Sequence, residues 1–345
     1  MKQSSKFLAK IKPMVSARII GAAVLWCVLG LLMYGIFYHY RFASQFSYMS
    51  LRYNVPINGQ AANAARQYAA NNSDFWLTFW RQDSALVGNS LQDATVTTIY
   101  FSGNASAVFP MMFIEGSAPS SIDNYGVIVS STLAHRLWGS VDIVGQAVYV
   151  DQELRTVRGV FDHGQEIALV SFCIEDRSQS WNAVELAFEG EHAPTRQDAV
   201  NFAIHAGLGV PSYVITAAAT AVSRFFAWFP IVVVLLIIMV KAFGLLKKMY
   251  PQAFVPILIA CVIISALFVP FLLEQVPPWL VPTSFSDFSH WSSIMTMAVD
   301  ALHEFIAAPA LLRDIDLALI LIYQAIIFAA TIVVLGVLAT RHNIR

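Results

Sequence analysis

Four long apolar runs alternate with more polar stretches along this chain. They are Ile19–Tyr38, Phe225–Val240, Phe254–Leu273 and Leu317–Ala339, and none contains Asp, Glu, Lys, Arg or His. A helix needs about 20 apolar residues to cross a bilayer, and the second run reaches that length if its helix begins near Ala217. The pattern therefore predicts four transmembrane helices.

The composition agrees with a membrane protein. Of 345 residues, 57% are hydrophobic and only 12% are charged, whereas a soluble domain carries about 25% charged residues. This excludes a disordered chain, a nucleic-acid-binding protein with a basic surface and an ordinary soluble enzyme. Two of the three cysteines, Cys27 and Cys261, lie in apolar runs, so no disulfide scaffold is expected. The first run is longer than the apolar core of a signal peptide and leads into Tyr38-His39-Tyr40-Arg41, which predicts an uncleaved anchor.

Basic and acidic residues are separated along the chain. All seven lysines lie in residues 1–18 or 241–252, and no acidic residue occurs there or in the tail, 341–345; all 22 Asp and Glu lie elsewhere. Because basic loops stay in the cytoplasm, this asymmetry places both termini and the 241–252 segment inside the cell. The protein is therefore expected to be a multi-pass protein of the plasma or inner membrane.

The predicted organisation has nine segments. They are a cytoplasmic N-terminus (1–18), the first span (19–38), an extracytoplasmic α+β domain with helical stalks (39–222), the second span (223–240), a cytoplasmic coupling segment (241–252), the third span (253–274), an extracytoplasmic loop with an amphipathic helix (275–316), the fourth span (317–340) and a cytoplasmic tail (341–345). The cytoplasmic pieces are too short to fold a catalytic domain, so any nucleotide energy must come from another chain.

The stretch between the first two spans is typical of a mixed α+β domain. Alanine-rich Gln60–Ala70 favours a helix, and Asp198–Ala206 predicts a short helix closed by Gly207. Runs of β-branched and aromatic residues predict strands at Phe75–Trp80, Ala94–Phe101, Tyr125–Val129, Ala147–Val150 and Leu154–Phe161. Tyr38–Tyr53 and the chain from Ser212 onward are expected to continue the first two spans as helical stalks.

One stretch of this domain resembles a known family. Its residues are Phe113-Ile-Glu-Gly-Ser-Ala-Pro119, Tyr125-Gly-Val-Ile-Val-Ser-Ser-Thr-Leu-Ala-His-Arg-Leu-Trp-Gly139, Asp142-Ile-Val-Gly145-Gln-Ala-Val-Tyr-Val150 and Thr156-Val-Arg-Gly159-Val160. Their order and spacing resemble the periplasmic core domain of MacB/FtsX-type ABC transporter permeases, whose arrangement of one span, an outer domain and three spans is similar too. These residues are expected to build the fold. Leu133, Ala134 and Leu137 would face the sheet, Gly139 would end a helix and Gly145 would allow a tight turn.

The resemblance implies that a cytoplasmic ATPase contacts the segment between the second and third spans. The residues implied are Lys241, Phe243, Leu246, Lys247, Lys248 and Tyr250. This segment departs from the family pattern, because it has no Glu and only the single Gly244. The loop before the fourth span departs as well, since it exceeds 40 residues where the family usually has a short one.

The sequence offers no motif for catalysis. It contains neither a Gly-x-x-x-x-Gly-Lys-Ser/Thr phosphate loop nor a Gly-x-Ser-x-Gly elbow. His303-Glu304 is not followed by a second histidine at ligand spacing, and His163 and Glu166 are interpreted as surface groups. We therefore expect no catalytic, cofactor or metal site; the chain itself is not an enzyme, and the partner ATPase would bind ATP and Mg²⁺.

The long outer loop contains an amphipathic stretch, Ser293–Ala308. Thr296, Asp300, His303 and Glu304 share one face of it, and aromatic residues precede it. It predicts either a helix lying at the membrane interface or a helix packed against its own chain or a partner.

These features favour the permease subunit of an ABC transporter, in which a partner ATPase drives movement of the outer domain for export of a peptide, lipid or drug. The resemblance implies that two permease chains pair, as a homodimer or heterodimer, in the bilayer, and that an extracytoplasmic protein or peptide could be a further partner; no nucleic acid is expected. The alternative is an FtsX-type transmitter that activates a cell-wall hydrolase. A membrane-anchored receptor or ectoenzyme has no supporting motif.

Overall fold

The computed structural model describes residues 2–44, 49–72, 75–173, 176–188, 195–216, 218–249, 259 and 288–340. The chain divides into two compact units. We name the two units after the locations predicted from sequence: the membrane unit comprises Met1–Ser44, Ala219–Ile294 and Leu317–Arg345, and the outer unit comprises Gln45–Ala218 and Met295–Asp316.

Eight helices and ten strands occur in the residues described. The helices are α1 (Lys2–Ala43), α2 (Gly59–Asn72), α3 (Ala105–Val108), α4 (Ser131–Trp138), α5 (Arg196–His205), α6 (Ala218–Met249), α7 (Phe288–Ala307) and α8 (Leu312–Thr340). The strands are β1 (Met49–Asn58), β2 (Phe75–Gly88), β3 (Asp93–Ser102), β4 (Phe113–Gly116), β5 (Gly126–Ser130), β6 (Ala147–Val150), β7 (Glu153–Phe161), β8 (Ile167–Ser171), β9 (Ser180–Phe188) and β10 (Tyr213–Ile215).

Three helical segments are long and apolar enough to cross a membrane. They are Ala23–Ala43, Thr220–Val240 and Leu312–Val337, which correspond to the first, second and fourth predicted spans. The third predicted span, 253–274, lies outside the described residues apart from residue 259. The four-span count therefore stays a prediction.

Helices α1, α6 and α8 pack together within the membrane unit. Leu29 of α1 and Leu335 of α8 are buried against apolar residues of α6 such as Val233. Gln324 of α8 is fully buried, and its Nε2 donates to the carbonyl oxygens of Ser223 (3.0 Å) and Ile36 (3.4 Å). Because hydrocarbon offers no competing water, a side-chain amide between helices stabilises their association.

The outer unit is built on a ten-stranded mixed sheet with the order β10-β1-β9-β2-β3-β8-β5-β7-β4, and β6 pairs with β2 and β7. Most neighbouring strands are antiparallel, but β3 pairs with β8 and β5 pairs with β7 in parallel. The strands predicted from sequence are all present. Three of them, β2, β3 and β7, are longer than predicted, and β2 and β3 form a hairpin paired from Phe79↔Ser102 to Gly88↔Asp93.

Successive residues of each strand point to opposite sides of the sheet, and other elements cover both of its faces. On one face, residues such as Val127 and Val184 pack with helices α2, α4 and α5. On the other face, residues such as Trp80 and Phe101 pack with α3 and with Leu312, which begins α8. The second half of the long loop before the fourth span is thus part of the outer unit.

The predicted helical stalks are wrong at their outer ends. Helix α1 ends at Ala43, and the chain re-enters as a strand at Met49. Residues 213–215 are also a strand, and α6 begins only at Ala218. The two stretches pair with each other antiparallel, from Ser50↔Ile215 to Arg52↔Tyr213, and this long-range pairing overrides their local helical preference.

Candidate functional site: an ion cluster in the outer unit

The residues that carry the family resemblance fold as one continuous piece of the sheet. Strands β4, β5 and β6 all pair with β7. Gly116 lies opposite Gly159 and has a φ of +70°. A side chain there would collide with the carbonyl oxygen of Arg158, so the position requires glycine.

Helix α4 is capped at both ends, and it ends at Gly139 as the sequence predicts. The Ser130 hydroxyl accepts from the backbone N–H groups of Leu133 (3.2 Å) and Ile167 (3.1 Å), which joins the helix start to strand β8. Gly139 ends the helix in the left-handed conformation, with φ 72°. The predicted inward residues of this helix are confirmed as buried: Leu133, Ala134 and Leu137.

Four charged side chains form a buried cluster on the sheet face that contacts α8. They are Arg52 of β1, Glu185 of β9, and Arg313 and Asp314 of α8, and we call them the ion cluster. Their exposed fractions are 4%, 1%, 4% and 8%. Charged residues are almost never this buried unless they are paired, and here two cations face two anions.

Glu185 is at the centre of the ion cluster. Its Oε1 accepts hydrogen bonds from Ser50 Oγ (2.6 Å) and Trp80 Nε1 (2.8 Å) on the two neighbouring strands. The same oxygen forms an ion pair with Arg313 and lies 4.0 Å from Arg52 Nη2. Strand alternation explains this convergence, because Ser50 is paired directly with Glu185 in the sheet.

Arg52 joins the sheet to the first turn of α8. Its Nη2 lies 3.1 Å from Asp314 Oδ1 and 3.4 Å from Oδ2, and its guanidinium carbon lies 4.5 Å from the centre of the Trp80 ring. Burial lowers the pKa of Arg52 below its usual value, and the carboxylates of Asp314 and Glu185 partly oppose that shift. Because arginine stays protonated in proteins, the buried guanidinium is a cation, and the two carboxylates stabilise it.

The neighbouring residues of α8 are held as well. Leu312 is buried in the apolar cluster with Trp80, and its backbone N–H donates to Gln82 Oε1 at 2.9 Å. Asp316 Oδ2 lies 3.2 Å from His163 Nε2, and His163 Nδ1 accepts from the backbone N–H of Gln165 at 3.1 Å. With its Nδ1 accepting, the neutral imidazole donates from Nε2 to Asp316. Residues Leu312–Asp316 are called the anchor segment below.

The residues predicted from sequence to contact an ATPase do not belong to the ion cluster. Lys241, Phe243, Leu246, Lys247 and Lys248 belong to the last turns of α6, and Tyr250 lies outside the described residues. Their contact with an ATPase stays a prediction.

The two groups interpreted as surface residues have partners. Glu166 pairs with Arg136, and His163 binds the anchor segment. Within the part of the chain that the structure describes, no three His, Cys, Asp or Glu side chains are grouped to hold a metal ion.

The amphipathic helix predicted in the outer loop is α7. Its Glu304 pairs with Arg196 at the start of α5, which favours packing against its own chain. Met297, Leu302 and Ile306 remain 49%, 56% and 70% exposed, so the apolar face is not covered by the residues described.

Sequence reasoning missed the ion cluster for a clear reason. Arg52 and Asp314 are 262 residues apart, and Ser50 and Glu185 are 135 apart. The available signal was Arg313-Asp314 followed by Asp316, three charges directly before the last apolar run. Charges at such a boundary usually face water, so the pattern alone does not indicate burial.

Comparison with known proteins finds similar solved structures, whereas no family model and no curated protein matches the chain. The chain is similar to the periplasmic region of MacB from Actinobacillus actinomycetemcomitans, with 9% identity and a TM-score of 0.42, over 50% of this chain and 89% of that one. It is also similar to the extracellular domain of the noncanonic ABC-type transporter YknZ from Gram-positive bacteria, with 14% identity and a TM-score of 0.34, over 42% and 84%. A third similar structure is a domain of a protein described as a permease from Porphyromonas gingivalis, with 12% identity and a TM-score of 0.34, over 47% and 82%.

These three similarities cover at most half of this chain, at 9–14% identity and with TM-scores of 0.34–0.42, and they are similarities of structure alone.

Proposed function

We propose that this chain is the permease subunit of a MacB/FtsX-like ABC transporter, which couples ATP hydrolysis by a separate ATPase to movement of its outer domain. The observation that carries this proposal is the 113–160 pattern, whose residues occupy the turns, caps and paired strands of one continuous unit. The charge asymmetry supports the same class, because it puts the large domain outside and only short basic segments inside. The 345 residues contain no phosphate-binding loop, which is consistent with an ATPase carried by a separate chain.

The proposed route of energy begins at the cytoplasmic end of α6. The basic coupling segment, with Lys241, Lys247 and Lys248, would receive the movement of the ATPase, and the first two spans would carry it outward. As in the family that the sequence resembles, four spans per chain and two permease chains would form the membrane part. The cargo would be a peptide, lipid or drug that is handled outside or at the membrane surface, because the apolar runs contain no ionisable residue to mark an ion path.

The direct test is reconstitution of the full chain in nanodiscs with the candidate ATP-binding subunit. We expect the two to co-purify and the ATPase rate to change when the permease is present. The triple variant Lys241→Ala/Lys247→Ala/Lys248→Ala should weaken both effects. The matched control is Arg136→Gln, which removes a half-exposed basic residue of the outer unit and should leave both effects unchanged.

Two outcomes would overturn the proposal. The first is that the wild-type chain neither binds the ATPase nor changes its rate. The second is that the ATPase binds but the complex moves no cargo and the outer domain instead binds a cell-wall hydrolase, which would assign the chain to the FtsX-type transmitters.

A further inference from the structure

The anchor segment makes a different contact to the sheet region of the outer unit at nearly every residue. Leu312 binds β2 through Gln82, and Arg313 pairs with Glu185 of β9. Asp314 binds Arg52 of β1, and Asp316 binds His163, which follows β7. A short helical stretch is thereby fixed to separate parts of the sheet.

Because these contacts are buried, losing one of them is costly. A pair of surface charges contributes little to stability, because water and salt screen it. The members of the ion cluster are at most 8% exposed, so the loss of one partner would leave an uncompensated charge in a water-excluded site. Breaking a buried pair in this way typically shifts an opening equilibrium by about 100-fold or more, which gives the anchor segment one strongly preferred position on the sheet.

The anchor segment is also the first turn of α8. This helix runs without interruption from Leu312 to Thr340 and contains the apolar segment Leu312–Val337 that is able to cross a membrane. The sequence contains no Pro or Gly between Leu312 and Leu335, so nothing in this stretch favours a hinge.

We propose that the ion cluster and its neighbours clamp the start of the fourth span to the outer domain, and that this clamp is a transmission route in addition to the first two spans. The clamp itself is independent of the protein's activity. Its role in transmission rests on the proposed function, because only a driven permease has movement to transmit.

The clamp is tested by hydrogen exchange on the full chain in nanodiscs, without nucleotide or partner. Asp314→Asn removes one charge of the cluster with little change in shape, and we expect the amides of residues 312–316 to exchange about 100-fold faster. The matched control is Glu304→Gln, which breaks an ion pair of the same outer unit whose arginine side chain is 54% exposed. Its exchange rates at 312–316 should stay within about twofold of the wild type.

A second variant keeps the test decisive if Asp314→Asn fails to fold. The double variant Arg52→Met/Asp314→Leu replaces the pair by apolar side chains, which are often tolerated where a single charge is not. We expect slow exchange at 312–316 in the double variant and fast exchange in Arg52→Met alone. Equal exchange in wild type, Asp314→Asn and Arg52→Met would overturn the clamp.

The transmission role needs the complex with the ATPase. Two glycines inserted between Asp316 and Leu317 change none of the anchor residues but interrupt the helix that follows them. In the wild-type complex we expect ATP to change the exchange of strands β1 and β9, and we expect the insertion to at least halve that change while ATPase binding is retained. The control insertion, between Ser90 and Leu91 in the exposed β2–β3 turn, should leave the change intact.

The two possible failures are distinguishable. If the wild-type chain does not bind the ATPase, the proposed function fails, while the nucleotide-free exchange experiment still decides whether the clamp exists. If the ATPase binds and the helix insertion leaves the ATP-dependent change at full size, the transmission role is refuted although the proposed function stands.

Discussion

Glu185 gives the sharpest test of how the outer unit is held together. Its side chain is buried, accepts two hydrogen bonds and faces two arginines. The substitution Glu185→Gln keeps the shape of the side chain and one carbonyl oxygen, but it removes the negative charge. Arg52 and Arg313 would then share the one carboxylate left in the ion cluster, that of Asp314.

The magnitude follows from the distances. At the 4.0 Å that separates Arg52 Nη2 from Glu185 Oε1, the attraction of two unit charges is about 4 kcal/mol at an effective dielectric constant of 20. Each hydrogen bond to the charged acceptor contributes about 1.5–3 kcal/mol. Glutamine retains part of the hydrogen bonding, so the loss should lie at the lower end of the range for a broken buried pair, about 3 kcal/mol.

Native-state hydrogen exchange on the full chain measures this loss. Amides of β1 and β9 that exchange only when the outer unit opens should do so about 100-fold faster in Glu185→Gln. The control is Glu166→Gln, because Glu166 pairs with Arg136, whose side chain is 50% exposed; it should change the free energy of opening by less than about 0.5 kcal/mol. A Glu185→Gln effect no larger than that of the control would refute the argument that water is excluded from the ion cluster.

Three further predictions concern other parts of the molecule. Gly139→Ala should lower the free energy of unfolding by about 1–2 kcal/mol, seen as a lower thermal midpoint, because alanine is strained in the left-handed conformation. Gly116→Ala should lower the midpoint further, because the alanine side chain also meets the backbone of β7. Burial first, and the nearby Asp151 second, raises the pKa of Tyr100 from 10.0 to about 12. The stabilising contribution of the protonated Tyr100 is therefore complete below pH 10.0 and is lost as the pH rises through about 12. The free energy of unfolding, followed between these two pH values, should be less pH-dependent in Tyr100→Phe. Gln324→Leu should weaken the association of α8 with its neighbours by about 0.6–2 kcal/mol, read from a lower unfolding midpoint in detergent, whereas an unchanged midpoint would show that its two hydrogen bonds contribute nothing.

Local patterns were sufficient for much of the outer unit. Runs of β-branched and aromatic residues predicted five of the six strands between 75 and 161, all but β4, and glycine placed the end of α4 at Gly139. These elements could be predicted because their signals lie within a few residues of one another. The helix of residues 59–72 could be predicted too, since alanine-rich Gln60–Ala70 favours a helix.

Pairing between distant segments could not be predicted. Residues 49–53 and 213–215 continue apolar helices in the sequence, yet they form the strands β1 and β10. What decides their structure is the neighbouring strand: β1 pairs with β9 on one side and with β10 on the other. A preference of a few tenths of a kcal/mol per residue for helix does not compete with two sets of backbone hydrogen bonds.

The end of the loop before the predicted fourth span completes one face of the sheet. From the main part of the domain, α3 and the residues that follow it, such as Phe109 and Met111, pack on the face with Trp80 and Phe101. Leu311 and Leu312 add to this cover. Without them more of the apolar surface would face water, at a cost of about 25 cal/mol for each Å² exposed. The ion cluster follows from this packing, because Arg313 and Asp314 directly follow Leu312 and are buried along with it.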